Sequence, residues 1–443
     1  MLGDALSRSL KLTSEDVHFN VGTDEHGSKV FLAAKDLGVK VETHVGKLSE
    51  QWKEFCELFS INYTSFYRTS NAEHGAKVQD VWKILENKGL IYKKPYAGKY
   101  CIGCESFKLD KELVAGKCPD HPTLELVNIE EINYFFKLSL FKETLLKWVS
   151  ANPNFLLPTD KATELLNLLS ASEDISISRT KEACPWGVEV PGDTNQTIYV
   201  WFDALLNYII AAGYPNNLVW ENVIQICGPD NLRFQAIVFQ AFLEALDIPH
   251  TTTLLIHGTI LDSQGRKQSK TTGNVINPID QLNKYGLDAV RYYALAGLNT
   301  YSDSSWSEEQ LIQCFNSEIC NDWGNTVSRV LHLISTKCNG EVLEVEKEFL
   351  TKLRADEAEV IKTWQEFQPK LALTKTNEIV KRASAYIDAE KPWKNANYHQ
   401  VCSNLYQLIV VVNKLYSPVL INGTKTISAG ILSKSKVIAF TKL

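Results

Sequence analysis

The sequence predicts an α/β domain built on a parallel sheet, interrupted by an inserted subdomain and followed by a helical domain. Short strand-like runs alternate with helical stretches in residues 1–95 and again from about 198 to 303, which is the rhythm of a parallel sheet covered by helices. A cysteine cluster and a stretch rich in Pro and Gly separate these halves, and after Ser307 apolar residues recur at helical spacing. We expect four segments: sheet domain, first half, 1–95; insertion, 96–185; sheet domain, second half, 186–317; helical domain, 318–443.

The individual elements follow from local patterns of apolar residues. In the first half, strand-like runs occupy Val17–Val21, Val39–Glu42 and Asn62–Tyr67. In the insertion we expect an extended stretch at Asn133–Leu138 and a helix at Leu140–Val149. The second half should contain the strand Val223–Ile226, the helix Phe234–Leu246 and the strand Thr253–Ile256.

Composition places the chain among globular proteins with more than one core. It has 443 residues, of which 44% are hydrophobic and 22% are charged. The sequence has no run of 18 uncharged apolar residues, so we expect no membrane span. The net charge of −6 does not exclude a nucleic-acid partner, because binding needs only a local basic face. Ten cysteines are too few for a disulfide framework at this length, which indicates a reducing compartment.

Two close pairs of metal-ligating residues stand in the insertion. Cys101 and Cys104 form one pair and, after thirteen intervening residues, Cys118 and His121 form the other. Thiolate and imidazole groups at this spacing suit a tetrahedral Zn²⁺, and four protein ligands leave no open position for a water, so we expect a structural site. The alternative is four unrelated residues, with the histidine exposed.

A basic loop follows in the second half of the sheet domain. Residues 263–274 carry Lys267 and Lys270, three positions apart, between two glycines. Such a loop can meet a polyphosphate, and the alternative is a solvated surface loop.

Together with its neighbours, this loop resembles the KMSKS loop of class I aminoacyl-tRNA synthetases. The neighbouring motifs occur in the order and at the spacings of methionyl-tRNA synthetases, and the likeness fades only after about residue 418. The single CxxC/CxxH knuckle is similar to that of the bacterial and organellar branch. These motifs are Gly22–Gly27 (GTDEHG), Ile177–Arg179 (ISR), Tyr199–Ala204 (YVWFDA), Gly228–Asp230 (GPD) and Lys391–Trp393 (KPW).

The resemblance implies a Rossmann-like catalytic domain that activates methionine with ATP and Mg²⁺ and loads it onto tRNA(Met). Methionine's carboxylate must attack the α-phosphate in line, while charge builds on pyrophosphate. Lys270, helped by Lys267, is the candidate for stabilising that charge. Asp230 is expected near ATP or the substrate, with a helix N-cap as the alternative, and His257 near adenine, although a lone histidine is more often structural.

The resemblance also implies a methionine pocket. Asp24 matches the position that holds the substrate's ammonium group, for which a carboxylate is the natural partner. Trp201, Ala204 and Tyr208 fall on one face of a helix and match residues that line the pocket, with core packing as the alternative. Arg179 matches an arginine near the active-site wall, with a surface turn as the alternative.

Several positions depart from the family pattern. Where the family has a lysine, an aliphatic residue and a histidine around the pocket, this chain has Pro229, Asn231 and Gln235, and Gln268 replaces the methionine of KMSKS. We expect Asn231 and Gln235 to contact methionine. The HIGH signature, which should precede a segment like Met1–Ala5, does not occur in the sequence. We therefore expect the chain to lack the first strand of the sheet and half of the ATP site.

In the helical domain, the resemblance implies an anticodon-binding surface. Asn325 and Arg329 lie one helical turn apart and match the pair that contacts the CAU anticodon. Trp393 matches the aromatic residue on which an unstacked base stacks. The alternatives are a solvated helix face for the pair and core packing for the tryptophan.

Three other functions remain open at this stage. The chain could be a catalytically inactive relative kept for tRNA binding or regulation, or a structural zinc protein without nucleotide chemistry. Within the enzyme class, leucine, isoleucine and valine synthetases share the lysine loop, but they carry a larger editing insertion than 443 residues accommodate. We expect a monomer in the mitochondrial matrix, with a bacterial cytoplasm as the alternative.

Overall fold

A computed structural model describes the chain except for residues 14–15, 104–105, 109–112, 120–122, 269–272 and 395. The chain divides into two compact units. One, which we call the helical unit, comprises Met1–Phe19, Phe55–Tyr63 and His257–Leu443. The other, which we call the sheet unit, comprises Asn20–Glu54 and Thr64–Ile256.

The strands of the described residues are mostly short. In chain order they are β1 (Asn20–Thr23), β2 (Ser65–Arg68), β3 (Ile91–Cys101), β4 (Ser106–Lys108), β5 (Val127–Phe136), β6 (Leu156–Leu157), β7 (Ile175–Ser176), β8 (Ser178–Thr180), β9 (Glu189–Val190), β10 (Asp193–Ile198), β11 (Ile224–Cys227), β12 (Thr253–Ile256), β13 (Ile260–Leu261) and β14 (Ser304–Ser305).

Helices connect and cover these strands. In chain order they are α1 (Leu2–Leu10), α2 (Ser28–Asp36), α3 (Val41–Leu58), α4 (Ala72–Asn87), α5 (Lys142–Ala151), α6 (Ala162–Ser170), α7 (Val200–Ala211), α8 (Phe239–Ala245), α9 (Pro278–Tyr285), α10 (Leu287–Tyr292), α11 (Glu308–Cys314), α12 (Asn325–Thr336), α13 (Lys347–Gln365), α14 (Pro369–Glu390), α15 (Tyr398–Tyr416) and α16 (Ile421–Ser433). Short 3₁₀ segments occupy Leu138–Phe141, Thr159–Lys161 and Pro229–Asn231, and π-helical segments occupy Phe234–Val238, Tyr293–Gly297 and Phe315–Gly324.

Part of the sheet unit is built from parallel strands. Among the described residues, β1 pairs with β2, and β12 lies between β11 and β6, all in parallel. The expected insertion instead contains antiparallel strands in the order β4-β3-β5-β7. Parallel strands need crossover connections, which α2 and α3 provide between β1 and β2 and α8 provides between β11 and β12.

Aromatic packing in the sheet unit positions helix α7. Trp82 of α4 and Phe242 of α8 both meet the ring of Phe202 edge-on, at centroid distances of 5.5 and 5.0 Å. All three side chains are buried. Because successive helical residues point in different directions, burying Phe202 leaves Trp201 on a partly exposed face of α7.

The fold class expected from the sequence is confirmed: an α/β domain is followed by a helical region. One local prediction was wrong. Val39–Glu42 alternates like a strand, but Val41 begins the 18-residue helix α3, because a helical spacing sustained over many residues outweighs four alternating ones. The boundaries of the four expected segments stay predictions. In the part of the chain that the structure describes, no helix is both long and apolar enough to cross a bilayer.

Candidate active site

The loop after β1 carries Asp24 at the carboxyl end of a parallel strand, where ligands bind in open α/β sheets. The strand can come this close to its neighbour only because residue 22 is glycine: a Cβ there would lie 2.2 Å from the carbonyl oxygen of Tyr67. Asp24 itself is exposed, and the residues on its C-terminal side are anchored.

Glu25 is the first of these anchors. Arg68 donates to both of its carboxylate oxygens, at 2.8 and 2.9 Å, and the hydroxyls of Thr23 and Ser70 also donate to it. Burial alone would raise the pKa of Glu25, but these hydrogen bonds and the Arg68 charge hold it below its ordinary value. Glu25 therefore stays ionised and fixes the backbone next to Asp24.

His26 is the second anchor, through a buried carboxylate on α7. Asp203 accepts from His26 through one oxygen and from Nε2 of His74 through the other, at 2.5 Å in the second case. Burial opposes charge on both partners, yet their mutual attraction raises the pKa of His26 and lowers that of Asp203. The indole of Trp186 lies 5.4 Å from the His26 ring and donates to the Glu25 carbonyl at 2.6 Å.

Helix α7 forms the apolar wall of the expected methionine pocket. The Trp201 ring stacks on Phe234, with 3.9 Å between centroids and 5° between planes. The Trp201 Nε1 is buried and has no hydrogen-bond partner among the described residues. Ala204 and Tyr208 lie on the same helix and are partly buried.

A hydrogen bond connects two residues of this expected pocket. Gln235 donates to the Tyr208 hydroxyl at 2.7 Å. Burial raises the pKa of Tyr208 to about 12, and the negative charge of Asp24 contributes to that rise. Their role in binding methionine stays a prediction.

Asp230 and Asn231 follow the carboxyl end of β11, in a single 3₁₀ turn that begins with Pro229. Proline suits the first position of such a turn because its φ is fixed and it lacks an N–H. Asp230 is exposed and Asn231 is partly buried, so both remain available to a ligand at this edge of the sheet.

Arg179 is not the surface arginine of the alternative interpretation, since only 4% of it is exposed. Its guanidinium lies between the rings of Tyr100 and Tyr199, at 5.2 and 4.3 Å from their centroids, and donates to the carbonyl of Ser178 at 2.7 Å. It lines a cavity of about 150 Å³ that also borders Gly27, at the end of the Asp24 loop. The structure thus places Arg179 at a wall next to that loop.

Half of the expected zinc knuckle lies within the described residues. Cys101 ends β3, and both Cys101 and Cys118 are fully buried. Cys104 and His121 lie outside the described residues. Within the part that is described, no cluster of three or more candidate ligands is found.

The lysine loop belongs to the helical unit. Asp262 organises it by accepting from the backbone of Gln264 and Arg266 and from the side chain of Asn274. These hydrogen bonds hold the pKa of Asp262 far below its ordinary value, and the one from Asn274 contributes most. Gln268, which replaces the family's methionine, donates to the Ile260 carbonyl at 3.1 Å and accepts from the Ile276 N–H at 2.8 Å.

Of the two lysines of that loop, one lies within the described residues. Lys267 pairs through its backbone with Leu261, whereas Lys270 lies outside the described residues. His257, at the end of the strand that leads to the loop, is exposed and its Nδ1 lies 2.9 Å from the Gly258 carbonyl, which makes that nitrogen the donor.

The expected anticodon residues form one surface of the helical unit. Asn325 and Arg329 lie on α12, and the Arg329 guanidinium lies 5.9 Å from the Trp393 ring. Trp393 is 44% exposed, which excludes core packing as its explanation. Arg329 also donates to Asp388 at 3.1 Å.

Sequence reasoning missed the side chains that hold these residues in place. Asp203 lies within the YVWFDA motif, so its acidic character next to Trp201 was a signal that could have been used. His74 and three further buried residues, Gln225, Gln240 and Thr251, stand outside every motif. Their contacts join positions far apart in the chain, such as the 129 residues between His74 and Asp203.

Comparison with known proteins agrees with this geometry. A family described as "tRNA synthetases class I (M)" matches residues 1–126 and 123–331. Asp24 and Asp230 each follow the carboxyl end of a parallel strand, which is where enzymes with such sheets bind their ligands. The relatives identify the amino acid for which the class I synthetase is specific: the chain belongs to the methionyl-tRNA synthetase family.

The relatives are similar over most of this chain. The methionine–tRNA ligase of Caldanaerobacter subterraneus is 34% identical over 442 residues, which cover 95% of this chain and 69% of that protein. The corresponding ligase of Fusobacterium nucleatum is 33% identical, covering 92% and 68%. The "Probable methionine–tRNA ligase, mitochondrial" of Dictyostelium discoideum is 38% identical, covering 77% and 62%. The chain thus spans roughly two thirds of the length of these relatives.

A solved structure shares the fold. The Mycobacterium tuberculosis methionyl-tRNA synthetase in complex with methionyl-adenylate superimposes with a TM-score of 0.89. The sequences are 28% identical, and the match covers 96% of this chain and 88% of that one.

Proposed function

We propose that this chain activates methionine with ATP to methionyl-adenylate and transfers the methionyl group to tRNA(Met). The observation that carries the proposal is a hydrogen bond between His26 and Asp203, which joins the loop of the Asp24 carboxylate to α7, the helix whose Trp201 and Tyr208 form an aromatic wall. An amino acid with an apolar side chain needs this pairing of charge and apolar surface. The methionine–tRNA ligases among its relatives support the same reaction.

Each group has a role that follows from its chemistry. Asp24 binds the substrate ammonium, and its anchored neighbours Glu25 and His26 hold it in position. Asp230 and His257 contact ATP, while Lys267 and Lys270 stabilise the charge that develops on pyrophosphate. Mg²⁺, when bound, neutralises phosphate charge. The methionine carboxylate is already ionised near neutral pH, so its attack on the α-phosphate needs no general base.

Methionine-dependent exchange of labelled pyrophosphate into ATP tests the first step. Exchange by the 443-residue chain would show that the ATP site, expected from the sequence to be incomplete, is sufficient for activation. For Asp24→Asn we expect a KM for methionine raised about tenfold or more, because a charged hydrogen bond is lost. Asp247→Asn is the control, since Asp247 is an exposed carboxylate that, among the described residues, pairs with Lys88. A silent wild-type chain would favour the catalytically inactive relative.

We propose that Arg329, Asn325 and Trp393 bind the anticodon. An exposed indole beside a guanidinium offers a stacking platform and a positive charge, which single-stranded bases require. Trp393→Ala should weaken tRNA(Met) binding by about 1–3 kcal/mol in a filter-binding assay and leave pyrophosphate exchange unchanged. Trp52→Ala removes an indole of similar exposure, 53%, and should leave binding unchanged. Equal affinities for Trp393→Ala and the wild type would remove the anticodon assignment.

We propose that Cys101, Cys104, Cys118 and His121 hold a structural Zn²⁺. The complete burial of Cys101 and Cys118 supports this, since thiolates screened from water are typical of such sites. Metal analysis of the purified protein should find about one zinc per chain, lost in Cys118→Ser and kept in Cys56→Ser, whose cysteine lies on α3. A full zinc content in Cys118→Ser would exclude the site.

We propose the mitochondrial matrix as the compartment. The mitochondrial relative from Dictyostelium discoideum is 38% identical, compared with 34% and 33% for the two bacterial relatives above. Fractionation of the source cells with an antibody against the chain should place it with matrix markers, and a bacterial source would replace this by the cytoplasm. That the protein is a monomer stays a prediction.

A further inference from the structure

The helix that carries Asn325 and Arg329 begins in a long π-helical segment. Helix α11, the segment Phe315–Gly324 and helix α12 follow one another without a break in the helical unit. A π turn holds more residues than an α turn, and such turns occur frequently at functional sites. The segment therefore changes the direction in which the later side chains of the helix point.

Glu318, inside this segment, is the final acceptor of a series of hydrogen bonds that starts on α15. The hydroxyl of Tyr416 donates to Oδ1 of Asn377 on α14. Nδ2 of Asn377 donates to the Tyr292 oxygen at 2.7 Å and to Oε2 of Glu318 at 3.2 Å. Tyr292 of α10 donates to the same Oε2 at 2.6 Å. Because a carboxylate only accepts, the direction of these hydrogen bonds is fixed.

The two tyrosines of the series are fully buried, which makes the carboxylate important to them. Burial raises the pKa of Tyr292 and that of Tyr416 well above the ordinary value, so both keep their protons and act as donors. Hydrogen bonds to an ionised carboxylate are about twice as strong as those between neutral groups. Glu318 thus fastens the π-helical segment to α10 and α14.

Two further polar contacts join α12 to the same face of α14. The hydroxyls of Thr326 and Ser384 lie 3.0 Å apart, and Arg329 donates to Asp388 at 3.1 Å. On α14, Ser384 and Asp388 follow Asn377 at intervals of about two and three turns of 3.6 residues, so all three side chains share one face. Helix α12 and the segment before it therefore contact one face of α14 along most of its length.

The π-helical turns bring Glu318 and Thr326 to that face together. The two residues are one position farther apart than the roughly seven residues of two α turns, so an unbroken α-helix would point them in different directions. The wider turns of the segment take up the extra residue, and both side chains reach α14. This alignment sets α12 against α14, the helix that ends at Glu390, shortly before Trp393.

We propose that Glu318 is a positioning residue for anticodon recognition, because it holds the π-helical segment on α14 and so sets Asn325 and Arg329 opposite Trp393. The inference rests on the proposed anticodon-binding surface and deepens it. Oε2 of Glu318 faces the buried Tyr292, so Glu318 acts through the other residues of the surface. Its contribution to tRNA affinity should consequently depend on the anticodon sequence and on the presence of Trp393.

Filter binding of the full chain to two tRNA(Met) transcripts tests this proposal, one with the CAU anticodon and one with its first base changed to G. We expect Glu318→Ala to weaken binding of the CAU transcript about three- to tenfold and binding of the other transcript by less than about twofold. Glu318→Gln removes the same charge but keeps an acceptor oxygen, so it should stay within about twofold of the wild type. Glu378→Ala, which removes an exposed carboxylate of α14, is the control for the charge of that helix.

A second measurement separates positioning from a purely structural role. In a Trp393→Ala background, Glu318→Ala should weaken binding by less than about twofold, because the surface that it aligns is already lost. Asn377→Ala interrupts the series from α14 and should give the same selective loss as Glu318→Ala, which protects the test if one variant does not fold.

Equal losses for both transcripts, equal losses in both backgrounds, or no loss would overturn the proposal. A Trp393→Ala chain that binds the CAU transcript as tightly as the wild type would overturn the anticodon surface and this inference with it. Weaker binding by Trp393→Ala, together with unchanged binding by Glu318→Ala and Asn377→Ala, would contradict this inference alone.

Discussion

A single buried carboxylate connects three parts of the sheet unit. Asp203 of α7 holds His26 of the Asp24 loop and His74 of α4, and none of the three side chains is more than 9% exposed. Burial by itself favours neutral groups, so the shifts toward the charged forms of Asp203 and His26 mean that their attraction outweighs desolvation. The position of the Asp24 loop therefore depends on a titratable pair.

That dependence predicts a specific pH profile for stability. The pKa of His26 is raised above 6.5 on folding, so its contribution is complete below about pH 6.5 and is lost as the pH rises through the folded value. The pKa of Asp203 is lowered below 3.8, so its contribution is present above that pH and is lost as the pH falls through the folded value. At about pH 5.5 we expect Asp203→Asn to lower the free energy of unfolding by about 2–3 kcal/mol in urea titrations.

The difference between Asp203→Asn and the wild type should shrink as the pH rises past the folded pKa of His26. Asp247→Asn, which removes an exposed carboxylate, should show a difference below about 1 kcal/mol at every pH. A difference for Asp203→Asn that is constant between pH values of about 5 and 9 would show that the pair does not titrate as proposed.

The candidate site was predicted from the sequence where its residues form motifs, and only there. Trp201, Ala204 and Tyr208 lie on one helix, as their spacing indicated. The sequence predicts that Gln235 contacts methionine but does not predict its partners Gln225, Gln240 and Tyr208, because packing between β11, α7 and α8 defines them. Periodicity reports which face of an element is buried, but it does not report which buried polar groups meet.

At the scale of elements, side chains of the segment after α16 pack directly on glycines of that helix. A Cβ on Gly423 would lie 2.0 Å from the Phe440 ring, and one on Gly430 would lie 2.6 Å from Val437. Asn316 also pairs with the backbone of Leu443, donating at 3.3 Å and accepting at 2.9 Å. Residues 435–443 therefore pack against α16 at two points where glycines leave room for their side chains.

Gly423→Ala should consequently destabilise the helical unit, although alanine favours helices. We expect overpacking against Phe440 to cost about 1–3 kcal/mol in urea titrations and to make residues 434–443 more susceptible to limited proteolysis. Gly46→Ala is the matched control: Gly46 lies inside α3, with no atom within 4 Å of an added Cβ, and its replacement should stabilise by about 0.5–1 kcal/mol. Equal effects of the two variants on the free energy of unfolding would mean that the Phe440 ring can move away from position 423 at no cost.

At the scale of the whole molecule, the sequence predicted the order of α/β and helical regions but not the two compact units. The helical unit includes Met1–Phe19 and Phe55–Tyr63, which the segment boundaries assigned to the sheet domain. A long-range polar contact joins two of these segments. Arg291 of α10 is fully buried and donates to Asp4 at 2.6 Å, although 287 residues separate the two positions.

Arg291 joins the three chain segments of the helical unit, which makes it a sensitive test of that unit's stability. Besides Asp4 it donates to the carbonyls of Phe59, Pro418 and Val419, at 3.0, 2.9 and 3.0 Å. Burial lowers the pKa of Arg291 from its ordinary value, but that value is so high that the group remains charged. Removing it leaves a buried carboxylate and three buried carbonyls with fewer donors.

We expect Arg291→Met to cost about 3–5 kcal/mol of unfolding free energy, measured by urea titration, because it breaks a buried ion pair and leaves one charge behind. Arg382→Met breaks an exposed pair with Asp356, 2.6 Å long, and should cost less than about 1 kcal/mol. Adding Asp4→Leu to Arg291→Met should recover part of the loss, since it removes the remaining buried charge. A cost for Arg291→Met as small as that of Arg382→Met, or no recovery in the double variant, would mean that packing around α10 and not this ion pair holds the three segments together.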